Sequence, residues 1–232
     1  MDIEIRNLQK KFNDNEVLKD ISLKIEKNKS TIILGQSGCG KSVLIKIIYQ
    51  LLNYEKGTIL YNGKKNIDID KFSMLFQYGA LFDSLTLSEN IAFTDYMENK
   101  LNYSRKVKSL MNDVGLDISN YHRYPAEVSG GMKKRAALAR ALYKNPKLIF
   151  LDEPTTGLDP INSDLINDLI IKVIKKRKIT AVTITHDIKS AIKTGDNFYF
   201  IDKGITQEKG RCDEILSSKN KIFKSFITGA RY

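Results

Sequence analysis

The segment Gly35-Gln36-Ser37-Gly38-Cys39-Gly40-Lys41-Ser42 decides the fold, because it reads G-x-x-x-x-G-K-S, the phosphate-binding P-loop pattern. The apolar, β-branched run at 31–34 predicts a buried strand before it. A helix after it is predicted by apolar residues spaced i, i+3, i+4 and i+7, namely Leu44, Ile47, Ile48 and Leu51. Amides at the start of such a helix bind phosphate oxygens. Lys41 would supply a positive charge, and the Ser42 hydroxyl a ligand for Mg²⁺. The alternative is a chance glycine-rich turn, which would need neither flanking element.

The composition is that of an ordinary globular protein. The 232 residues are 42% hydrophobic and 28% charged, which fits a single domain over 1–232 with its own core. No apolar run reaches the ~18 residues that span a bilayer, and the acidic start at 1–4 is unlike a secretory signal. Cys39 and Cys212 lie far apart, so we expect no disulfide. These features predict a cytoplasmic location.

The net charge of +11 allows contact with nucleic acid, an anionic membrane surface or a nucleotide. The basic residues are scattered, however, in short runs such as 133–135 and 175–178. Solvated faces explain such runs more simply than one binding patch does. We therefore expect no nucleic-acid partner.

The order of apolar patterns predicts an α/β fold with a mostly parallel sheet. From Leu148 onward, strand and helix patterns alternate, which is typical of a parallel sheet covered on both faces. Earlier, alternation predicts two half-buried strands, marked by Ile3 and Ile5 and then by Ile21, Leu23 and Ile25. Asn62-Gly63, after a strand pattern at 58–61, predicts a hairpin. The first part of the chain should therefore form a small antiparallel β layer.

An inserted helical subdomain is predicted at about 78–146. The capping box Thr86-Leu87-Ser88-Glu89 predicts a helix that begins near Leu87, and Asn145-Pro146 ends the last helix of this region. Near the end of the chain, 222–227 has an amphipathic pattern with two interpretations. We favour a final helix packed on its own domain over a segment that binds a partner.

Two carboxylates, Asp152 and Glu153, follow the wholly apolar strand pattern at 148–151. The carboxyl ends of parallel strands are where such sheets gather their ligand-binding groups. Beside a P-loop, an Asp at this place can hold the Mg²⁺ shell, and the adjacent Glu can orient or deprotonate water. A lone Asp-Glu pair would prove little, so the interpretation depends on the strand before it.

Six motifs in a fixed order resemble the nucleotide-binding subunit of an ATP-binding cassette (ABC) transporter, over nearly the whole chain. In chain order they are Walker A at 35–42, the Q-loop glutamine Gln77, the signature motif at 128–132, Walker B at 148–153, the D-loop at 157–159 and the switch histidine His186. The signature departs from the usual L-S-G-G-Q, because Val128 and Met132 replace its first and last residues. The resemblance implies a P-loop NTPase of the ABC ATPase type.

The resemblance also implies where ATP and Mg²⁺ bind. The catalytic residues would be Glu153, which would activate water, and His186, which would contact the γ-phosphate. Ser42, Gln77 and Asp152 would hold the metal. Nucleotide contacts are implied for Phe12, Gly35, Gln36, Ser37, Gly38, Cys39, Gly40, Lys41, Ser42, Val43, Gln77, Ser129, Gly130, Gly131 and Asp159.

Three of these residues have simpler interpretations. Phe12 either stacks on adenine or packs as an ordinary loop aromatic. Cys39 either has a lowered pKa at the helix start or is a small residue tolerated in the loop. His186 could instead be a structural cap before Asp187.

The partners follow from the same resemblance. Two copies would face each other head to tail, with each ATP between Walker A of one copy and residues 129–131 of the other. Asp159 would cross that interface, and Gln77 would link the site to a transmembrane permease. The protein would then lie peripherally on the cytoplasmic face of the inner (plasma) membrane.

Three stretches, 75–86, 131–141 and 158–161, are similar to one branch of this family. That branch is the ATPase of lipid transporters that work with MCE-domain proteins, such as the bacterial system that maintains outer-membrane lipid asymmetry. It implies phospholipid or a related lipid as cargo. Two alternatives stay open: an ABC motor for another substrate, or a soluble ABC-type ATPase acting in iron–sulfur assembly or on nucleic acid.

Overall fold

A computed structural model describes residues 1–100 and 102–229, and within these ranges nine strands form one sheet. The strands are β1 (Ile3–Phe12), β2 (Asn15–Ile25), β3 (Ser30–Leu34), β4 (Lys56–Tyr61), β5 (Phe72–Leu75), β6 (Leu148–Asp152), β7 (Thr180–Thr185), β8 (Asn197–Asp202) and β9 (Ile205–Arg211). Their order across the sheet is β4-β1-β2-β9-β8-β3-β7-β6-β5. The sheet carries helices, which confirms the predicted α/β fold.

The strands β5, β6, β7, β3 and β8 are parallel and form the core of the sheet. Every residue of β3 and β7 is buried, because helices cover both faces of the sheet. This explains why both strands are continuous runs of apolar and β-branched residues. All five strands end at the same edge, and that edge carries the candidate site.

The antiparallel part is joined to this core by a narrow connection. β1 pairs with β2 and with β4, and Ile3, Ile5 and Leu23 are buried as the alternation predicts. Between β2 and β9 the register contains a single parallel pair, Asp20 with Ile205. The antiparallel layer and the parallel core are therefore ends of one sheet.

The hairpin predicted at Asn62-Gly63 is only a tight turn. Both residues have positive φ, 47° and 78°, as the turn chemistry requires. The pairing after the turn stops at one bridge, Tyr61 with Lys64. The next two residues, Lys65 and Asn66, are polar and exposed, so they offer no apolar face to extend a second strand.

Eight α-helices are present in the described part of the chain. They are α1 (Lys41–Ile48), α2 (Leu87–Ile91), α3 (Phe93–Met97), α4 (Ser104–Asp113), α5 (Gly130–Leu142), α6 (Pro160–Arg177), α7 (Ile188–Thr194) and α8 (Lys221–Gly229). The predicted capping box is formed: the Glu89 amide donates to Thr86 Oγ1 at 3.3 Å, and the Thr86 amide donates to Glu89 Oε2 at 2.7 Å. Helices α2 to α5 lie between β5 and β6 in the sequence. In this part of the chain no helix is long and apolar enough to cross a membrane.

The last helix, α8, packs on its own domain, as favoured from the sequence. Phe223 is fully buried, and its ring lies 5.1 Å from that of Phe198 and 4.8 Å from that of Phe200, measured between centroids. Phe226 adds a third contact, 5.0 Å from Phe200. Because Phe198 and Phe200 belong to β8, α8 is fixed directly onto the core sheet.

Candidate nucleotide site

A cleft of about 720 Å³ opens at the carboxyl edge of the parallel strands. This volume is within the range of small-molecule sites. Its lining comes from the loop after β3, the ends of β6 and β7, and helix α8. The lining residues are Val17, Gly35, Gln36, Ser37, Gly38, Gly40, Lys41, Ser42, Val43, Gln77, Asp152, Glu153, Ile184, His186, Ser225, Phe226 and Gly229.

The P-loop has the backbone that phosphate binding requires. Gly40, with φ of 104°, precedes the first residue of α1, and no side chain caps that helix. A Cβ atom on Gly40 would lie 2.5 Å from Leu18 Cδ2, so only glycine fits. The Lys41 ammonium donates to the carbonyls of Gly35 and Gln36, at 2.6 and 2.7 Å. An uncapped helix start beside a cation held inside the loop fits an anionic ligand.

The carboxylates lie where the sequence predicted, at the end of β6. Asp152 is the last residue of that strand, and Glu153 follows with φ of 45°, in the left-handed region. Such a conformation is costly for a residue other than glycine and is common at functional sites. Burial, followed by the charge of Glu153, raises the pKa of Asp152, while Lys41 and Lys134 act in the opposite direction.

The Glu153 side chain is only 13% exposed and receives three contacts. His186 Nδ1 lies 2.7 Å from its Oε1, and the hydroxyls of Thr156 and Thr185 donate to Oε2, each at 3.3 Å. A carboxylate oxygen accepts in such a contact, so the hydrogen bond forms in the tautomer of His186 that has its proton on Nδ1. The interpretation of His186 as a cap is not supported, because Asp187 itself caps α7, accepting from the Lys189 amide at 3.0 Å.

The three residues predicted to hold the metal, Ser42, Gln77 and Asp152, all line the cleft. They offer a hydroxyl, an amide oxygen and a carboxylate, which are the oxygen ligands that Mg²⁺ takes alongside substrate phosphates. Among the described residues, no group of three or more His, Cys, Asp or Glu side chains is arranged to hold a metal ion. The donor set therefore fits a hard cation that binds together with a phosphate ligand.

Two residues predicted to contact the nucleotide, Phe12 and Cys39, do not line the cleft. Phe12 is 42% exposed at the end of β1, with Lys10 Nζ 5.0 Å from its ring centroid. Cys39 is buried in the P-loop, and burial raises the pKa of its thiol, which the nearby Lys41 offsets only in part. This direction favours a small residue tolerated in the loop over a reactive thiol.

The signature and D-loop residues also lie outside the cleft lining. Ser129 and Gly130 are exposed, and Ser129 Oγ accepts from the Met132 amide at 3.3 Å as the cap of α5. Gly131 follows in the same helix. Asp159 likewise caps α6, where its Oδ1 accepts from the Asn162 amide at 3.0 Å. Within one copy, these residues make structural contacts at helix starts.

The sequence did not predict that α8 and two apolar side chains line the cleft. Ser225, Phe226 and Gly229 line the cleft from the last helix, and Val17 and Ile184 add apolar surface. The spacing of Phe223, Phe226 and Ile227 indicated a helix. No sequence signal gave its position beside the P-loop, because that depends on aromatic contacts with β8.

A profile of the ABC transporter family matches residues 18–156. Three relatives show how the match extends over the chain. "Probable ribonucleotide transport ATP-binding protein mkl" of Mycobacterium leprae is 34% identical over 241 residues, which cover 99% of this chain and 69% of that protein. "Protein TRIGALACTOSYLDIACYLGLYCEROL 3, chloroplastic" of Arabidopsis thaliana is 35% identical over 256 residues, covering 98% and 74%. "Intermembrane phospholipid transport system ATP-binding protein MlaF" of Haemophilus influenzae is 34% identical over 241 residues, covering 98% and 90%.

Two solved structures share the fold. CbiO1 of Clostridium perfringens, part of the ABC transporter complex CbiONQ, has a TM-score of 0.83 and 27% identity, covering 99% of this chain and 96% of that one. A dimeric ATP-binding cassette in a post-hydrolysis state, bound to ADP and Pi, has a TM-score of 0.75 and 26% identity, covering 90% and 98%. With the P-loop and both carboxylates meeting in one cleft, these matches show that the chain belongs to the ABC transporter family, as an ATPase subunit that uses ATP and Mg²⁺.

Proposed function

We propose that this ATPase drives the movement of phospholipid or a related lipid, together with a transmembrane permease and an MCE-domain protein. The proposal rests on the likeness to the phospholipid transport ATPase MlaF, which extends over 98% of this chain and 90% of that protein. A chloroplast relative named for a glycolipid supports it. Relatives named for sulfate/thiosulfate import and for osmoprotectant import are similarly related, at 34% and 31% identity, so the cargo must be tested directly.

A set of exposed aromatic residues on both sides of Gln77 is the proposed docking surface for the permease. Its members are Phe76, Tyr78 and Phe82, which are 46%, 82% and 45% exposed. The part of the loop that begins at Phe82 is held by Asn90, whose amide group donates to the carbonyls of Phe82, Leu85 and Thr86, each at 3.0 Å. Leu81 packs instead into the subdomain core. A rigid apolar surface beside the cleft suits a helix of a partner protein.

A second copy of the chain is proposed to complete the nucleotide site. Residues 129–131 lie outside the cleft of their own copy, so they reach a phosphate only across an interface. The dimeric relative that holds ADP and Pi supports this arrangement. We expect the two copies to face head to tail, with Asp159 near the shared boundary, on the cytoplasmic face of the inner membrane.

Within this proposal each residue of the cleft has a defined task. Bound Mg²⁺ would neutralise charge on the β- and γ-phosphates of ATP. Lys41 and the P-loop amides hold the phosphates in place, and Ser42, Gln77 and Asp152 provide the metal ligands. Glu153 accepts a proton from the attacking water at a carboxylate oxygen. His186, which is hydrogen-bonded to Glu153, faces the γ-phosphate.

Purification from detergent-solubilised membranes of its own cell tests the proposal, with mass spectrometry of whatever is recovered with the tagged protein. We expect a multi-span permease and an MCE-domain protein. The variant Tyr78→Ser should lose the permease. Tyr54→Ser, at a tyrosine that is also exposed but lies away from the docking surface, should keep it.

Other outcomes separate the alternatives. A permease recovered with different companions would keep the motor and refute the lipid assignment. Recovery from the soluble fraction alone would refute the transporter proposal, and stimulation of the ATPase by nucleic acid would then support the soluble class.

A further inference from the structure

Helix α5, which begins at the signature motif, holds the segment after β5 through two cations. The Lys134 ammonium donates to the backbone oxygen of Gln77. Farther along the helix, the Arg140 guanidinium donates to the backbone oxygens of Gly79 and Ala80, both at 2.6 Å. We call residues 77–80 the Gln77 segment. Three of its carbonyls are thus held by one helix.

The Gln77 segment needs this support, because its backbone is unusual. Gly79 and Ala80 both have positive φ, 75° and 48°, and the second of these is a costly conformation for alanine. The segment also lies close to the helix: a Cβ atom on Gly79 would be 3.3 Å from Ala137 Cβ. A chain in this conformation stays ordered only when its surroundings hold it there.

Lys134 differs from Arg140 in what surrounds it. It is 6% exposed and does not line the cleft, whereas Gln77, Asp152 and Glu153 do. Burial lowers the pKa of Lys134, and the negative charges of Asp152 and Glu153 oppose that shift. A buried ammonium is costly unless partners compensate it. The Lys134 ammonium makes the contact described above, to the backbone oxygen of Gln77, and this contact offsets part of that cost.

We infer that Lys134 is a positioning residue for ATP hydrolysis, because its ammonium holds the backbone of the Gln77 segment beside the cleft. Loss of this contact would free the Gln77 segment, which carries both Gln77 and Tyr78 of the docking surface. This inference rests on the proposed roles of Gln77 and Glu153.

The test compares three variants of the full chain. Lys134→Met removes the charge and keeps most of the apolar stem, and Lys134→Arg keeps a charged donor. Lys133→Met is the matched control, since Lys133 is the adjacent residue of α5 and is less buried. The first measurement is amide hydrogen exchange over 77–82 without nucleotide. Lys134→Met should exchange at least about tenfold faster, the factor that loss of a charged hydrogen bond produces. Lys134→Arg and Lys133→Met should stay within about twofold of the parent.

The second measurement is the Mg²⁺ concentration that half-saturates binding of a fluorescent ADP analogue. Because Gln77 is a proposed metal ligand, loosening its segment should raise this concentration by about threefold or more in Lys134→Met alone. The inference requires both changes. Unchanged exchange or an unchanged Mg²⁺ requirement would overturn it, even if ATP hydrolysis fell. If Lys134→Met does not fold, Lys134→Gln is measured instead, with the same two criteria.

A further variant keeps this inference separate from the proposed function. Gln77→Ala removes the side chain proposed as a metal ligand but leaves the backbone oxygen that Lys134 contacts. If hydrolysis survives in Gln77→Ala, the proposed role of Gln77 fails. If exchange over 77–82 is insensitive to Lys134→Met, the inference about Lys134 fails, whatever Gln77→Ala does.

Discussion

Replacing Glu153 with glutamine should abolish hydrolysis while leaving nucleotide binding and folding in place. The side chain accepts three contacts on its two oxygens, from His186 on one and from Thr156 and Thr185 on the other. Glutamine can direct its single oxygen toward the two threonines and its amide group toward His186. The imidazole then accepts instead of donating, which it does by changing tautomer. No buried donor or acceptor is left without a partner.

The expected magnitudes follow from that arrangement. Loss of a general base lowers the rate by about 10²–10⁴, or roughly 2.7–5.4 kcal/mol of activation free energy. The free energy of unfolding should change by less than about 1 kcal/mol, because every hydrogen bond has a replacement. The dissociation constant for ATP should stay within about threefold, since Lys41 and the P-loop amides are unchanged.

Three assays measure these quantities: phosphate release with Mg²⁺ and ATP, binding of a fluorescent ATP analogue, and urea unfolding. Glu98→Gln, at an exposed carboxylate far from the cleft lining, is the control for loss of one negative charge. ATP should also trap the Glu153→Gln variant as a dimer, seen as a doubled mass by light scattering. A folded variant that hydrolyses ATP within about threefold of the parent would refute the role of Glu153.

Further predictions concern binding, packing and pH. Lys41→Ala should weaken nucleotide binding by about 10- to 150-fold, because one charged hydrogen bond contributes roughly 1.5–3 kcal/mol. Lys46→Ala, on the exposed face of the same helix, should leave the affinity unchanged. Calorimetric titration with ATP measures both variants. Phe223→Ala should lower the free energy of unfolding, measured by urea titration, by about 3–5 kcal/mol, because the ring is fully buried. The Ile222 side chain is half exposed, so Ile222→Ala should lower the free energy of unfolding by about 0.5 kcal/mol or less. Asp152→Asn should stabilise the metal-free protein at pH 7, since the raised native pKa makes an ionised Asp152 unfavourable to folding. That gain should shrink as the pH falls through the native pKa toward the unfolded one, and urea unfolding in EDTA at pH 7 and pH 4 checks the trend.

Strands with continuous apolar sequences were predicted correctly, whereas a strand with a mostly polar sequence was not. The apolar runs of β3, β6 and β7 identify buried strands without any knowledge of their neighbours. In contrast, β9 was not predicted, because its sequence, Ile-Thr-Gln-Glu-Lys-Gly-Arg, is mostly polar and half exposed. It becomes a strand by pairing with β8, in a register that joins Phe198 to Gly210 and Asp202 to Ile205. Such pairing depends on tertiary context rather than on local preference.

The same distinction applies to the candidate site. Lys41 and Asp152 could be placed in one cleft from the sequence, because the P-loop and the carboxylates lie at the ends of predicted parallel strands, and His186 was added by the resemblance to the family. The helix α8 could not, since its place beside the P-loop is set by Phe223 packing on two residues of β8. Ser129 shows a third situation: its motif was evident, but within one copy its side chain caps α5 outside the cleft lining, so its phosphate contact stays a proposal.

The central position of β3 has a consequence for synthesis of the protein. Thr31 pairs with Val182 on one side and with Asn197 on the other. At about 5–20 residues per second, the ribosome delivers these partners roughly 10–30 s after β3 itself. For that interval an apolar strand waits with both edges unpaired beside an unfinished P-loop. A nascent chain in this state is prone to aggregate, so slower growth at low temperature or added chaperone should increase the yield of folded ATPase.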